Sequence, residues 1–128
     1  VDLRVQLAAD LPLIPANGHQ LEEIWINLLM NARDSLLEER PGVIALTSRM
    51  APSGQAVEVE VGDNGRGVRE SDRAQLFTPF FTTKGRGRGN GLGLSVCQSI
   101  VNDHGGEIAF QSREGEGTVF RVRLPLTR

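Results

Sequence analysis

The sequence is poor in cysteine, in net charge and in long apolar runs. Its single cysteine, Cys97, excludes an intramolecular disulfide framework and is typical of a protein kept in a reducing compartment. The formal net charge of −2 gives no general attraction to nucleic acid or to anionic lipid. No apolar run approaches the roughly 18–20 residues that a membrane-spanning helix needs, and no signal-peptide pattern opens the chain. These absences favour a domain that works in the cytoplasm and contacts neither nucleic acid nor membrane.

Length and composition indicate one globular domain over residues 1–128. An apolar content of 39% is typical of a chain that buries a core, and 128 residues is close to the commonest domain size. Because Val1 already stands in strand-like sequence, we expect the chain to be part of a longer protein.

The spacing of apolar residues predicts a mixed α+β architecture. It predicts a long helix over 18–39 that ends at Pro41-Gly42, a short helix near 70–76, and a helix over 91–104 capped by Gly105. Strands are predicted at 2–7, 13–15, 43–50, 56–62, 106–112 and 117–124. Adjacent strand pairs late in a mixed order favour a two-layer sandwich.

Two asparagines of the first predicted helix, Asn27 and Asn31, lie four residues apart and therefore share a face. Apolar residues surround them, and a buried amide without a partner costs about 1–3 kcal/mol. Each amide therefore needs either a hydrogen bond to the core backbone or a ligand. Magnesium prefers oxygen ligands and takes few of them from protein, so a metal site is the second interpretation.

A carboxylate, Asp63, follows the strand in which Val57, Val59 and Val61 alternate with Glu58 and Glu60. The run Gly-Asp-Asn-Gly-Arg-Gly is compatible with a plain hairpin turn. Alternatively, the carboxylate accepts a hydrogen bond from the 6-amino group of adenine, which the neighbouring glycines allow to lie close to the backbone. Such a site would reject guanine, which presents an acceptor at that position.

The composition of residues 63–93 predicts a long, glycine-rich loop. Two features of this loop, its phenylalanines and its later glycines, suggest roles in the fold or in binding. The phenylalanines of 77–81 either pin this loop to the core or form an apolar patch on a lid. The glycines of 85–93 precede a helix, and free N–H groups at a helix start bind anions, although a solvated linker is the alternative. Nearby positive charge comes from Lys84, Arg86 and Arg88. The run is neither a Walker A loop nor a Rossmann fingerprint.

Taken together, these motifs resemble the ATP-binding catalytic domain of sensor histidine kinases. The wider superfamily also holds gyrase, the ninety-kilodalton heat-shock chaperone and the mismatch-repair ATPases. The matching segments are the N box at 27–32, the first glycine box at 63–67, the F box at 76–84, the second glycine box at 89–94 and a closing Gly-Thr-x-Phe element at 117–120. Asp34 and Ser35 after the N box are similar to the nitrogen-regulation branch.

The resemblance implies a fold, two cofactors and a set of site residues. The fold would be the Bergerat-type α/β sandwich, a mixed sheet backed by three helices under a flexible lid, and the cofactors would be ATP and Mg²⁺. Asn31 would hold the metal, Asn27 would support the metal or the phosphates, and Asp63 would bind adenine. The residues that would complete the site are Gly65, Gly67, Lys84, Gly89, Asn90, Gly91, Leu92, Gly93, Leu94 and Thr118. Residues 82–90 would be mobile without nucleotide.

The implied activity is transfer of the γ-phosphate of ATP to a histidine on a dimerisation domain of the same parent protein, with a response regulator downstream. We interpret His19 and His104 of this chain as structural or solvated rather than phosphoaccepting. The superfamily's hydrolases place a glutamate where Asn27 stands, and an amide cannot take a proton at neutral pH, so we expect slow ATP hydrolysis. A stand-alone protein-serine kinase of the anti-sigma type and a non-catalytic nucleotide sensor are the alternatives.

Overall fold

The computed structural model describes residues 1–79 and 93–127. They form a five-stranded sheet in the order β1-β2-β3-β5-β4, with two α-helices packed on one face. The strands are β1 (Asp2–Leu7), β2 (Val43–Met50), β3 (Ala56–Asp63), β4 (Glu107–Arg113) and β5 (Gly117–Pro125). The helices are α1 (Gly18–Ser35), α2 (Gly93–Asp103) and a short 3-10 helix at Glu70–Gln75. The expected α/β sandwich with a mixed sheet is confirmed.

β3 is the central strand, so strand pairing places its C-terminal end in the middle of one end of the sheet. β1 and β2 are parallel, and the other neighbouring strands are antiparallel. Asp63, the last residue of β3, lies opposite Ile44 of β2 and Thr118 of β5. The polar turn that follows Asp63 is therefore held between two strands.

The core lies between the sheet and one stripe of each helix. Ile24, Leu28 and Ala32 of α1 recur at intervals of four residues and are buried. Phe77 joins this core, because its ring centroid lies 6.0 Å from that of Phe110 and 6.3 Å from that of Phe120. Of the two interpretations of the phenylalanine cluster, Phe77 therefore supports the one in which the loop is pinned to the core. Phe80 and Phe81 lie outside the described residues.

The sheet face that carries no helix, here called the open sheet face, is covered by ion-paired glutamates and arginines. The side chain of Glu58 is 2% exposed and accepts hydrogen bonds from Arg49 Nε at 3.2 Å and Arg123 Nη2 at 2.8 Å. Glu60 accepts from Arg49 Nη1 at 2.6 Å and Arg121 Nε at 3.1 Å. Hydrogen bonds and charge from these arginines lower the pKa of both carboxyls, although burial opposes the shift.

One helix end and one strand differ from those predicted. The first helix ends at Ser35 rather than near residue 39, because Leu36 is extended and its N–H bonds back to the carbonyl of Arg33. The strand predicted at 13–15 is wrong: these residues pair with no strand, and Ile14 packs against the core instead. The prolines at 12 and 15 lack the N–H that a sheet ladder requires.

The second helix ends as predicted, and its last turn is tied to the first helix. Gly105 has a φ of 72°, and its N–H bonds to the carbonyl of Asn102 at 3.0 Å. His104 is 2% exposed; its Nδ1 lies 2.8 Å from the Ile100 oxygen, and its Nε2 accepts the N–H of Asn17 at 3.1 Å. His104 therefore has a structural role, whereas His19 is exposed.

No helix in the described part of the chain combines the length and apolarity that spanning a membrane requires.

Substituting Glu58→Gln tests the ion pairs of the open sheet face. We expect the free energy of unfolding at pH 7 to fall by about 1–3 kcal/mol, since Arg49 and Arg123 lose a charged acceptor but keep part of their hydration. Because the folded pKa of Glu58 and Glu60 is lowered, their stabilisation is present above the ordinary glutamate pKa of 4.5 and is lost as the pH falls through the folded pKa. Urea unfolding at several pH values should show a shallower acid dependence for the variant.

Glu107→Gln is the matched control, because this carboxylate is 79% exposed and lies 4.0 Å from Arg123. It should change the free energy of unfolding by less than about 0.5 kcal/mol. Equal losses in the free energy of unfolding for the two variants would contradict the assignment of stabilisation to the buried Glu58 carboxylate.

Candidate nucleotide-binding site

One face of α1 carries the two asparagines and ends at Ser35. Asn27, Asn31 and Ser35 follow at intervals of four residues, so they rise by about 6 Å each along the same side of the helix. Both asparagines are half-buried. Within residues 1–79 and 93–127, neither side-chain amide makes a hydrogen bond. The described core backbone therefore provides no hydrogen-bond partner for either of them. Their oxygens fit the role of ligands to a hard cation.

The turn after β3 packs against the end of this face. The N–H of Arg66 donates to the carbonyl of Ser35 at 2.9 Å, and Arg66 Nη1 donates to the carbonyl of Asp34 at 3.2 Å. A Cβ atom on Gly65 would lie 2.2 Å from the Ser35 oxygen, a distance at which backbone must move. Glycine is therefore required at position 65 by the approach of the turn to the helix.

The start of α2 lies at the other end of the same face. A Cβ atom on Gly93 would lie 3.2 Å from Oδ1 of Asn27, so the first residue of α2 is in contact with that amide. Asn31 thus lies on the helix face between a contact to α2 and a contact to the Asp63 turn. The structure places the predicted metal ligand and the predicted adenine ligand around one side of α1.

Asp63 has the environment of a held and partly desolvated carboxylate. Burial raises its pKa, while hydrogen bonds from the backbone N–H groups of Gly65 and Thr118 and the charge of Arg66 act against that rise. The Gly65 N–H donates to Asp63 Oδ1 at 2.8 Å. A carboxylate has about four acceptor sites, so these two bonds orient it and leave capacity for a ligand donor.

Thr118 lies beside Asp63, but its hydroxyl is engaged by a residue that sequence reasoning missed. Thr118 is 5% exposed, and its Oγ1 lies 2.9 Å from Oγ of Ser112 on β4. Ser112 Oγ also accepts the N–H of Val68 at 2.8 Å. Only the register of β4 against β5 brings this serine to the site, and no local sequence signal marks it.

Gly67 and Asn64 shape the turn, Gly67 by its backbone conformation and Asn64 by its side-chain hydrogen bonds. Gly67 has a φ of 73°, and a Cβ there would lie 2.2 Å from the carbonyl oxygen of Arg113. The Asn64 side chain accepts the N–H of Val43 at 2.8 Å and donates to the carbonyl of Pro41 at 2.9 Å. Both polar ends of this amide are therefore committed to the start of β2.

Arg40 is a second residue that sequence reasoning missed. Its guanidinium donates to the carbonyls of Asn64, Gly65 and Gly115, and so joins the Asp63 turn to the turn between β4 and β5. No periodicity marks this arginine, which lies outside the helix and strand that flank it.

Part of the predicted phosphate-binding segment falls outside the described residues. These positions are Lys84, Gly89, Asn90, Gly91 and Leu92, together with the lid expected at 82–90. Of the second glycine box, the structure describes Gly93 and Leu94. Gly93 contacts Asn27, and Leu94 packs against the core.

The fold and this site define an ATP-binding α/β sandwich. Residues 16–128 match the family described as histidine kinase-, DNA gyrase B- and HSP90-like ATPase. The chain belongs to that family and forms its ATP-binding module.

The similar proteins are bacterial sensors and a histidine kinase domain. The two-component sensor PprA of Pseudomonas aeruginosa is 42% identical over 118 residues, covering 89% of this chain and 13% of that protein. The sensor histidine kinase ZraS of Escherichia coli is 38% identical over 126 residues, covering 98% of this chain and 26% of that protein. The nucleotide-free catalytic domain of histidine kinase ThkA superposes with a TM-score of 0.83 at 33% identity, covering 99% of this chain and 81% of that one. The chain thus spans only 13% of one of these relatives and 26% of the other.

Gly65→Ala tests the contact between the turn and α1. The added methyl group cannot fit against the Ser35 carbonyl, so we expect a loss of about 1–3 kcal/mol in the free energy of unfolding and weaker ATP binding. Gly18→Ala is the matched control, because a Cβ there would have no described atom within 4 Å apart from its chain neighbours and the backbone of its own helix. Thermal unfolding and calorimetric titration with ATP measure both effects, and a fully stable Gly65→Ala chain would refute the steric argument.

Proposed function

We propose that the chain binds Mg-ATP and presents the γ-phosphate to a histidine on a separate dimerisation domain of the same parent protein. In this proposal the phosphate then passes to a response regulator, and the domain works in the cytoplasm. The observation that carries the proposal is the single face of α1, where Asn27 and Asn31 lie between the start of α2 and the Asp63 turn.

The adenine end of the site is assigned to Asp63. Its carboxylate is oriented by two backbone N–H groups and is partly desolvated, so a ligand N–H gains more from it than from an exposed carboxylate. The 6-amino group of adenine is such a donor. Thr118, which lies directly opposite in the sheet, is proposed to assist through its position beside this carboxylate.

The phosphate end is assigned to Asn31 and Asn27. Both asparagines are half-buried, and their side chains make no hydrogen bonds within the described chain, which suits the oxygen donors that magnesium prefers. Bound magnesium would neutralise charge on the phosphates, which is the main requirement of a loose phosphoryl-transfer transition state. Gly65 and Gly67 are proposed to line the base, and Gly93 and Leu94 to begin the helix that follows the phosphates. Lys84, Gly89, Asn90, Gly91 and Leu92 would complete the phosphate contacts.

The chemistry left to this chain is positioning. Phosphoryl transfer depends chiefly on alignment and charge neutralisation, so a domain that fixes ATP at both ends supplies most of the catalysis. A neutral imidazole attacks through a nitrogen that already carries a lone pair, so it needs no strong base from this chain. Asn27 cannot activate water by taking its proton. Slow hydrolysis and efficient transfer are therefore expected together.

Asn31→Ala tests the metal assignment. In the unchanged chain, Mg²⁺ should raise the affinity for ADP measured by calorimetry; in the variant this gain should disappear, because the ligand oxygen is gone. Thermal unfolding without nucleotide should be nearly unaltered, since the amide makes no hydrogen bond within the described residues. Met30→Ala, at a neighbouring exposed position of the same helix, is the control. A full magnesium-dependent gain in Asn31→Ala would rule out the assignment.

The nature of the phosphorylated product tests the proposed reaction. The parent protein, incubated with [γ-³²P]ATP, should acquire label that is lost in acid and kept in base, as expected for phosphohistidine. Acid-stable label would instead indicate a protein-serine kinase, and binding without labelling would indicate a nucleotide sensor. His19→Gln should leave the labelling unchanged, because this exposed histidine of the domain is not the proposed acceptor.

A further inference from the structure

Arg40 directs its hydrogen bonds at backbone carbonyls beside the proposed adenine end of the site. Its Nε donates to the Asn64 oxygen at 3.0 Å, and its Nη2 donates to the Gly65 oxygen at 2.9 Å and the Gly115 oxygen at 2.8 Å. Nη2 also contacts the Asn64 oxygen. The side chain is half-buried. A planar guanidinium with several donors in a fixed geometry suits such a cluster, whereas a lysine would offer a single point charge.

One peptide unit connects Arg40 to Asp63. The carbonyl of Asn64 and the N–H of Gly65 belong to the same peptide, because residue 65 follows residue 64 in the chain. Arg40 binds the carbonyl end of this unit, while the N–H end donates to Asp63 Oδ1 at 2.8 Å. Hydrogen bonds in series polarise one another, so a cation at the carbonyl strengthens the N–H as a donor. Arg40 thus fixes the orientation of this peptide and, through it, that of the carboxylate.

The bond to Gly115 adds a second constraint on the same turn. The N–H of Gly115 donates to the carbonyl of Arg66 at 2.6 Å, while its own carbonyl accepts from Arg40. The turn between β4 and β5 is therefore held to the Asp63 turn from both sides of Gly115. Because β5 supplies the second backbone donor to Asp63, at Thr118, Arg40 stabilises the arrangement from which both donors come.

We propose that Arg40 is a positioning residue that aims the Asp63 carboxylate at the 6-amino group of adenine and so sets selectivity for adenine nucleotides. This inference rests on the proposed function, in which Asp63 binds that group. Arg40 does not touch the base in this proposal, and it acts through the peptide between Asn64 and Gly65.

Competition between ATP and ITP tests the inference in the 128-residue chain. Inosine has a carbonyl where adenine has its amino group, so the ratio of the two affinities reports on Asp63 and is insensitive to phosphate contacts. Arg40→Met should lower the ATP-to-ITP affinity ratio by roughly tenfold or more, chiefly through weaker ATP binding, as expected when a charged hydrogen bond is misaligned. Arg40→Lys should recover part of the ratio. Arg4→Met is the charge-matched control, because this side chain is 68% exposed, pairs with Asp2 and lies on the edge strand β1, two strands from β3.

A purely structural role would appear as a different pattern. If Arg40→Met weakens ATP and ITP equally, or lowers only the thermal unfolding temperature, the positioning role is refuted. Arg40→Lys provides the same comparison if the methionine variant does not fold.

Asp63→Asn separates this inference from the proposed function. Its amide can donate to the inosine carbonyl, so the ATP-to-ITP ratio should collapse, and adding Arg40→Met to it should change the ratio no further. If Asp63→Asn alone leaves the ratio unaltered, the adenine assignment of Asp63 fails and the inference fails with it. If Asp63→Asn collapses the ratio while Arg40→Met does not change it, only the role of Arg40 is overturned.

Discussion

The site depends on one close contact between backbone segments, the approach of the Asp63 turn to the carbonyl end of α1. The Ser35 carbonyl accepts the N–H of Arg66, and the absence of a side chain at Gly65 permits the two segments to meet. Because α1 ends at Ser35 rather than a turn later, this carbonyl is one of the groups left without a partner inside the helix. The hydrogen bond from Arg66 thus gives this carbonyl a partner and holds the turn against the end of the helix.

The glycines of the first glycine box show how one residue type satisfies a packing requirement and a proposed binding role at once. Gly65 and Gly67 each lie where a Cβ would collide with a backbone carbonyl, of Ser35 and Arg113 respectively. These collisions alone require glycine at both positions, before any ligand is considered. The resemblance of such a run to a nucleotide-binding motif therefore reports first on the local fold, and the case for a ligand rests on Asp63 and the two asparagines.

Sequence reasoning predicted the elements and proposed the groups of a nucleotide site, but it did not reveal the contacts that join them. The spacing of Ile24, Leu28 and Ala32 is a local property, so α1 and its core face could be predicted. The end of α1 could not, because residues 36–39 continue a helical pattern and the competing partner, Arg66, comes about thirty residues later. Ser112 and Arg40 were missed for the same reason, since their roles arise only from strand register and from the meeting of two distant turns.

The hydrogen bonds that hold the Asn64 side chain have a chemical consequence for the lifetime of the protein. An asparagine followed by glycine ages readily, because the next backbone nitrogen can attack the side-chain carbonyl carbon and expel ammonia. Here the Gly65 nitrogen is held by Asp63, and the Asn64 amide is bonded at both ends to Val43 and Pro41. Ring closure would have to break these three bonds, so the folded turn protects the Asn-Gly step from spontaneous deamidation.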